Sequence, residues 1–137
     1  MKKKIIIISC IVVTVLVVAC SLLFIFKPWG KKPFKNIKAE DIKSVSVELL
    51  PPNVTEELSN EEIIEFVDIL NTVVIYNEDN SYTEYNGQAV IFTITKTDGS
   101  TVTVNAYNPF IVIDGVGYKC LYEPTEELSN FADSLQQ

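Results

Sequence analysis

Two residue types are missing altogether from this 137-residue chain: histidine and arginine. Without histidine, the usual general base near neutral pH, the commonest zinc ligand and the Ser/His and Cys/His nucleophile pairs are excluded. Without arginine there is no bidentate clamp for phosphate or carboxylate. Glycine is scarce, five residues scattered at turns and just after an apolar run, so no glycine-rich phosphate loop exists. Cysteine is limited to three, with Cys10 and Cys20 inside that apolar run and Cys120 alone in the remainder, so no disulfide can staple the soluble part. Cys120 has no histidine to activate it and reads as a buried apolar side chain rather than a nucleophile. No cofactor motif and no metal-ligand set emerges.

What the chain does have is hydrocarbon at one end. Residues 5–26 carry no charge. As a helix at ~1.5 Å per residue they would measure about 33 Å, enough to cross a bilayer core of about 30 Å. Ser9, Thr14 and Ser21 interrupt the aliphatic side chains, and small hydroxyls of this kind can bond back to the helix backbone. Lys2, Lys3 and Lys4 precede the run. Lys27 and Trp29 follow it, a cation and an amphipathic ring of the type that settles at headgroup level. The run is expected to be a single membrane-spanning segment in contact with lipid over residues 5–26.

A cleaved signal is the competing reading. Val17-Val18-Ala19-Cys20 resembles the lipobox of bacterial lipoproteins, which would place the signal at residues 1–19 and a lipid on Cys20. The chain departs from that pattern in having Val17 in place of leucine and in staying apolar from Ser21 to Phe26, and both departures favour an uncleaved anchor. Lys31, Lys32, Lys35 and Lys38 join Lys27 after the run, so lysines flank it on both sides. Long domains translocate largely regardless of such charge, and the expected topology is N-terminus inside with the domain extracytoplasmic.

Residues 27–41, broken by Pro28, Gly30 and Pro33, read as a lysine-rich stalk, and residues 42–137 as an acidic domain. From Ser44 onward two lysines face sixteen Asp and Glu, a net charge of −14 that the whole-chain value of −7 conceals. Such a domain repels nucleic acid, which is excluded as a partner, and also repels an anionic membrane, leaving the lysine collar as the part suited to lipid.

The domain falls into short periodic segments. Val45, Val47 and Leu49 alternate with polar neighbours, the pattern of a half-buried strand, ended by Pro51-Pro52. Ser59 reads as an N-cap with Glu62 three residues on, and Leu58 is placed to pack on Ile63. Ile63, Phe66, Val67 and Leu70 then recur at helical spacing while Glu61, Glu65 and Asp68 take the wet face. Residues 73–76 read as a short strand and 77–87 as a polar loop. Two hairpins follow. Val90, Phe92 and Ile94 return through Asp98-Gly99 as Val102, Val104 and Ala106; Ile111 and Ile113 return through Asp114-Gly115 as Tyr118, Cys120 and Tyr122. Pro124 and Thr125 open a last helix with Leu128, Phe131, Ala132 and Leu135 on one stripe. The order predicts an α+β domain: an antiparallel meander of four or five strands beyond the first, with both helices packed on one face of the sheet. A small closed barrel with a helix across it is the alternative. The hexapeptide Thr-Glu-Glu-Leu-Ser-Asn occurs at 55–60 and again at 125–130, but the flanks differ, and shared helix-start composition explains it better than duplication.

Tyrosine is the residue type with the clearest binding potential. Tyr82 and Tyr85 sit in a polar stretch with no obvious core role, and Tyr107 and Tyr118 fall on the neighbouring hairpins. Exposed tyrosines beside acidic residues can hold a peptide, a glycan or another protein. The stronger competing reading has them cover the second face of the sheet as cross-strand pairs. Carboxylates alone could hydrolyse wall glycans if two met in a cleft, although Glu56, Glu57, Glu61, Glu62 and Glu65 read more simply as a wet surface. Asn77-Glu78-Asp79-Asn80 lacks the spacing of a calcium loop.

Basic tail, single span, lysine-rich segment and acidic domain together resemble the small membrane-tethered extracytoplasmic domains of unknown function found in low-GC Gram-positive bacteria. The resemblance runs over residues 42–135: strand, capped helix, Tyr85-Asn86-Gly87 ahead of a hairpin, and Ile113-Asp114-Gly115 before Tyr118. It implies an architecture and no activity. The expectation is a non-catalytic module that binds a protein or peptide at the cell envelope, with a wall hydrolase or a structural subunit of a membrane complex as alternatives. The full-length chain is expected to stay in the membrane fraction through alkaline carbonate washing, with Cys20→Ala making no difference; release of unprocessed protein into the supernatant would overturn the anchor.

Overall fold

The computed structural model describes residues 1–26 and 29–137. The first element, α1 (Lys2–Phe26), is one continuous helix of 25 residues. It is not buried against the rest of the chain, and by length and composition it can cross a membrane; a signal sequence would share that character. The Thr14 hydroxyl donates to the Cys10 carbonyl and the Ser21 hydroxyl to that of Val17, both at 2.8 Å, so these polar atoms turn back on the helix and leave its outside apolar.

The remaining elements are β1 (Ile42–Leu50), β2 (Val54–Glu57), α2 (Asn60–Thr72), β3 (Ile75–Glu78), β4 (Ala89–Lys96), β5 (Thr101–Tyr107), β6 (Phe110–Ile113), β7 (Val116–Cys120) and α3 (Tyr122–Ser134). The seven strands form one antiparallel sheet in the order β2-β1-β4-β5-β6-β7-β3. With β2 and β3 as free edges the sheet is open, and the α+β reading holds over the barrel.

Strand alternation builds one apolar face. Val47 lies opposite Phe92 and Phe92 opposite Val104, while Leu49, Val90, Ala106 and Ile111 continue the next row. Both domain helices bury their stripes on this side. The rings of Phe66 from α2 and Phe131 from α3 sit 4.7 and 6.4 Å from Phe92 and 6.2 Å from each other, so one aromatic cluster fastens both helices to the middle of the sheet. The start of α2 is fixed by the expected capping box: the Glu62 amide donates to Ser59 Oγ at 3.3 Å and the Ser59 amide to Glu62 Oε2 at 2.7 Å. Asp114-Gly115, with φ of 49° and 83°, makes the two-residue hairpin turn whose left-handed pair matches strand twist.

Because β2 and β3 stand at opposite edges, α2 must carry the chain across the helix side of the sheet. Residues 79–88 then bring it back across the other side to β4. The open remainder of that second face is dressed in Ser46, Thr93, Thr95 and Thr103, residues that favour strands without needing burial.

Several elements differ from the sequence expectation. β2 was not expected, because Val54-Thr55-Glu56-Glu57 has no apolar face; it is an edge strand, mostly exposed, whose charges discourage further pairing. The last helix starts at Tyr122, ahead of Pro124, which is tolerated because a first-turn residue has no intrahelical acceptor for its amide. The stalk of residues 27–41 is the main correction. Lys27 and Pro28 lie outside the described residues, but Lys31 pairs with Ile75 in an isolated bridge, the two amides donating at 2.7 and 2.8 Å. Phe34 belongs to the core at 8% exposure, with Ile37 and Ala39 packed on it. Lysine density masked this: the charges at Lys32, Lys35 and Lys38 stay in water while the apolar residues between them turn in. Phe34→Ala is expected to cost about 3–5 kcal/mol in denaturant unfolding, as for other buried phenylalanines. A solvated stalk would lose nothing.

Candidate functional site

The return segment 79–88, here called the strap, carries two of the four tyrosines singled out above and lies over the backs of β6 and β7. Gly117 seats it. The Asp79 amide donates to the Gly117 carbonyl, and the Gly117 amide donates to Asn80 Oδ1, both at 2.8 Å. The Tyr82 ring lies against the same glycine, and a Cβ there would collide with the ring and with the Asp79 carbonyl oxygen. The Tyr82 hydroxyl donates to the Gly115 carbonyl at 3.1 Å. Further along, the Tyr107 hydroxyl donates to the Tyr85 carbonyl at 2.8 Å, and Gln88 Nε2 donates to the Pro51 carbonyl at 3.0 Å. A 3-10 turn over Ser81–Glu84 keeps the strap compact.

The four tyrosines therefore separate. Tyr82 and Tyr107 share the second face of the sheet and commit their hydroxyls to backbone carbonyls. Tyr118 lies opposite Ile111 on the helix side and packs on the core, so the structure does not bring it to the other three. Tyr85 alone presents its ring: it is 57% exposed, resting on Phe110 with centroids 5.5 Å apart and planes tilted by 54°. Alternation could have separated Tyr118 from Tyr107, since Tyr118 shares the parity of Cys120 and Tyr107 that of Asn105. Phe110, the floor beneath Tyr85, was not singled out from sequence because one aromatic beside a proline carries no period.

Tyr85 forms a ridge between two shallow hollows. One, of about 470 Å3, is lined by Asp79, Pro109, Phe110, Lys119 and Cys120; the other, of about 220 Å3, by Asn86, Gln88, Tyr107, Asn108 and Ser129. In the first, Lys119 Nζ lies 3.8 Å from Asp79 Oδ2, a loose and partly exposed ion pair that contributes little to stability. Hydrogen bonds from the Ser81 hydroxyl and amide hold the Asp79 carboxyl below its ordinary range, with desolvation opposing and Lys119 assisting. Burial pushes the Cys120 thiol up, partly offset by Thr125, whose Oγ1 is 3.1 Å from Sγ. Both shifts favour the form each group ordinarily holds at neutral pH, the carboxylate for Asp79 and the thiol for Cys120. The hollow offers an aromatic wall, a single cation and a fixed carboxylate, a surface suited to recognition.

The other candidates are scattered. Trp29 is 74% exposed. Cys20 lies on the exposed surface of α1. Glu56 and Glu57 are on the β2 edge and Glu61 and Glu65 on the wet face of α2. Among the described residues no three metal-binding side chains converge. Gly117→Ala is expected to destabilise by about 1–3 kcal/mol, as overpacking does. It is also expected to lift Tyr82 from the sheet, read as faster amide exchange across the strap while α2 and α3 stay protected; unchanged exchange would show that the strap is held elsewhere. No family model, no curated protein and no solved structure matches this chain, so its own geometry carries the functional reading.

Proposed function

We propose that this chain is a membrane-anchored, extracytoplasmic module that binds a protein or peptide at the cell envelope without catalysing a reaction, with the Tyr85 ridge as its contact. The observation that carries the reading is Tyr85 itself: a large ring more than half exposed, resting on Phe110, with a hollow on either side. A pre-positioned aromatic next to a small concavity has the form of an interface hot spot, where area is gained with little entropy lost. The strap's ties to Gly115, Gly117 and Tyr107 supply that pre-positioning. The lack of histidine and arginine is consistent with recognition and removes the histidine-based catalytic constellations.

The apolar α1 supports the anchor, and its six-residue continuation past Cys20 without a charge, the Ser21 hydroxyl being turned back on the helix, favours retention over cleavage at a lipobox. Extracytoplasmic placement rests on the signal-anchor form of the N-terminus. The resemblance to tethered domains of low-GC Gram-positive bacteria points the same way. In intact cells, a photoreactive residue replacing Tyr85 is expected to capture a discrete protein adduct that the same residue at Thr93, on the open part of the sheet, does not. Against the captured partner, Tyr85→Ala is expected to lose about 2 kcal/mol of binding free energy. Equal capture at both positions, or none at Tyr85, would remove the ridge from the account.

A further inference from the structure

Beyond α1, on its C-terminal side, five large apolar side chains among the described residues stand exposed: Trp29, Ile64, Tyr85, Leu121 and Tyr122. Three of them gather where the chain leaves α1. Trp29 immediately precedes Gly30, whose φ of +65° and tight fit against the Val74 and Tyr76 side chains leave no room for a Cβ. Lys31 is bonded to Ile75 in both directions, and the Leu121 amide donates to the Val74 carbonyl at 2.9 Å. Lys32, Val74 and Leu121 border one hollow, and Tyr122 follows Leu121 at the start of α3. Trp29, Leu121 and Tyr122 are 74%, 40% and 54% exposed, beside the exposed Lys31 and Lys32.

Chain length fixes what lies near this patch. Between Phe26, the last residue of α1, and Lys31, the first held by the sheet, even a fully extended chain spans at most about 18 Å. The headgroup layer beyond the hydrocarbon is about 5–8 Å deep on each side. If α1 is in a membrane, this edge of the domain cannot leave its vicinity. Charge selects the same edge, since the domain beyond Ser44 carries −14 and anionic lipid repels its other faces, while Lys31 and Lys32 meet lipid favourably. Glu123 and Glu127 bound the hollow on its α3 side and mark where the favourable surface stops.

We propose that Trp29, Leu121 and Tyr122, flanked by Lys31 and Lys32, seat the β3 edge of the domain in the headgroup layer of the bilayer that holds α1. The domain then stands on the membrane in one orientation. This rests on the reading of α1 as a retained anchor, and failure of that reading is separable in the test. Trp29 is the sole tryptophan. Full-length protein is reconstituted in vesicles of phosphatidylcholine and phosphatidylglycerol with bromine on the acyl carbons nearest the headgroup. Native Trp29 emission is compared with that of Leu121→Trp, Tyr122→Trp and, as a distant control, Ile64→Trp, each in a Trp29→Phe background. The expected result is a loss of most emission for native Trp29 and for at least one of Leu121→Trp and Tyr122→Trp, with Ile64→Trp unquenched. Quenching of native Trp29 alone overturns the seating and leaves the anchor intact. Absence of quenching at every position overturns the anchor and the seating together. A blue shift at Leu121→Trp that grows with protein density but resists bromine assigns the patch to a second copy of the chain, which also overturns the proposal.

Discussion

Phe92 lies in the middle of the sheet with Phe66 and Phe131 packed over it, and the rest of the domain depends on that contact. A helix lying across a sheet needs a point that fixes both its height and its rotation. Here one ring from the strand serves two helices at once. Phe66 and Phe92 are fully buried and Phe131 nearly so, which leaves the cluster no route for water and little freedom to slide. With α2 pinned there, its two ends are committed to opposite edges of the sheet. Everything after it follows: β3 forms at the far edge, and the chain must return beneath the strands to reach β4.

That return produces the strap, and with it the surface proposed for binding. The sequence constraint behind the surface is small. Gly117 offers no side chain, so its backbone can bond to the strap in both directions while a tyrosine ring lies on its Cα. The two tyrosine hydroxyls that end on carbonyls remove Tyr82 and Tyr107 from consideration as free contacts and leave Tyr85 as the presented ring. Structural tyrosine and displayed tyrosine thus stand side by side, distinguished by hydrogen bonding rather than by type.

Where periodicity was strong, residue pattern and structure agree. The capped α2, the two Asp-Gly hairpins and the strictly alternating β1 and β4 were legible because local chemistry and tertiary environment ask for the same thing. Where they ask for different things the reading failed. Val54-Thr55-Glu56-Glu57 has no period and becomes a strand only because β1 supplies a partner. The repeated hexapeptide makes the point within one chain. At 55–60 it is the end of a strand, a cap and the first residue of a helix; at 125–130 it is helical throughout. What stays constant is burial of its leucine, Leu58 at 6% exposure and Leu128 at 0%. The lysine-rich segment was misread for a related reason, since Phe34 and Ile37 carry no period that composition could reveal. The candidate site was legible as a set of tyrosines, and alternation along β5 and β7 separates Tyr107 from Tyr118, but the seating of Tyr82 and Tyr85 over the second face depended on how β3 and β7 pair, which no local signal encodes.

The pairing of β3 with β7 also has a kinetic side. Ile75 meets Cys120, a partner in β7 that enters the chain only after three further strands, β4, β5 and β6, have been made. Until then the only partner β3 has is Lys31, through the single bridge at Ile75, and no other strand lies beside it. Closure over so long a stretch of chain raises the contact order and slows folding relative to a simple run of hairpins. As the ribosome releases this polypeptide, its N-terminal half must wait, with an uncovered apolar strand, for the C-terminal half to arrive.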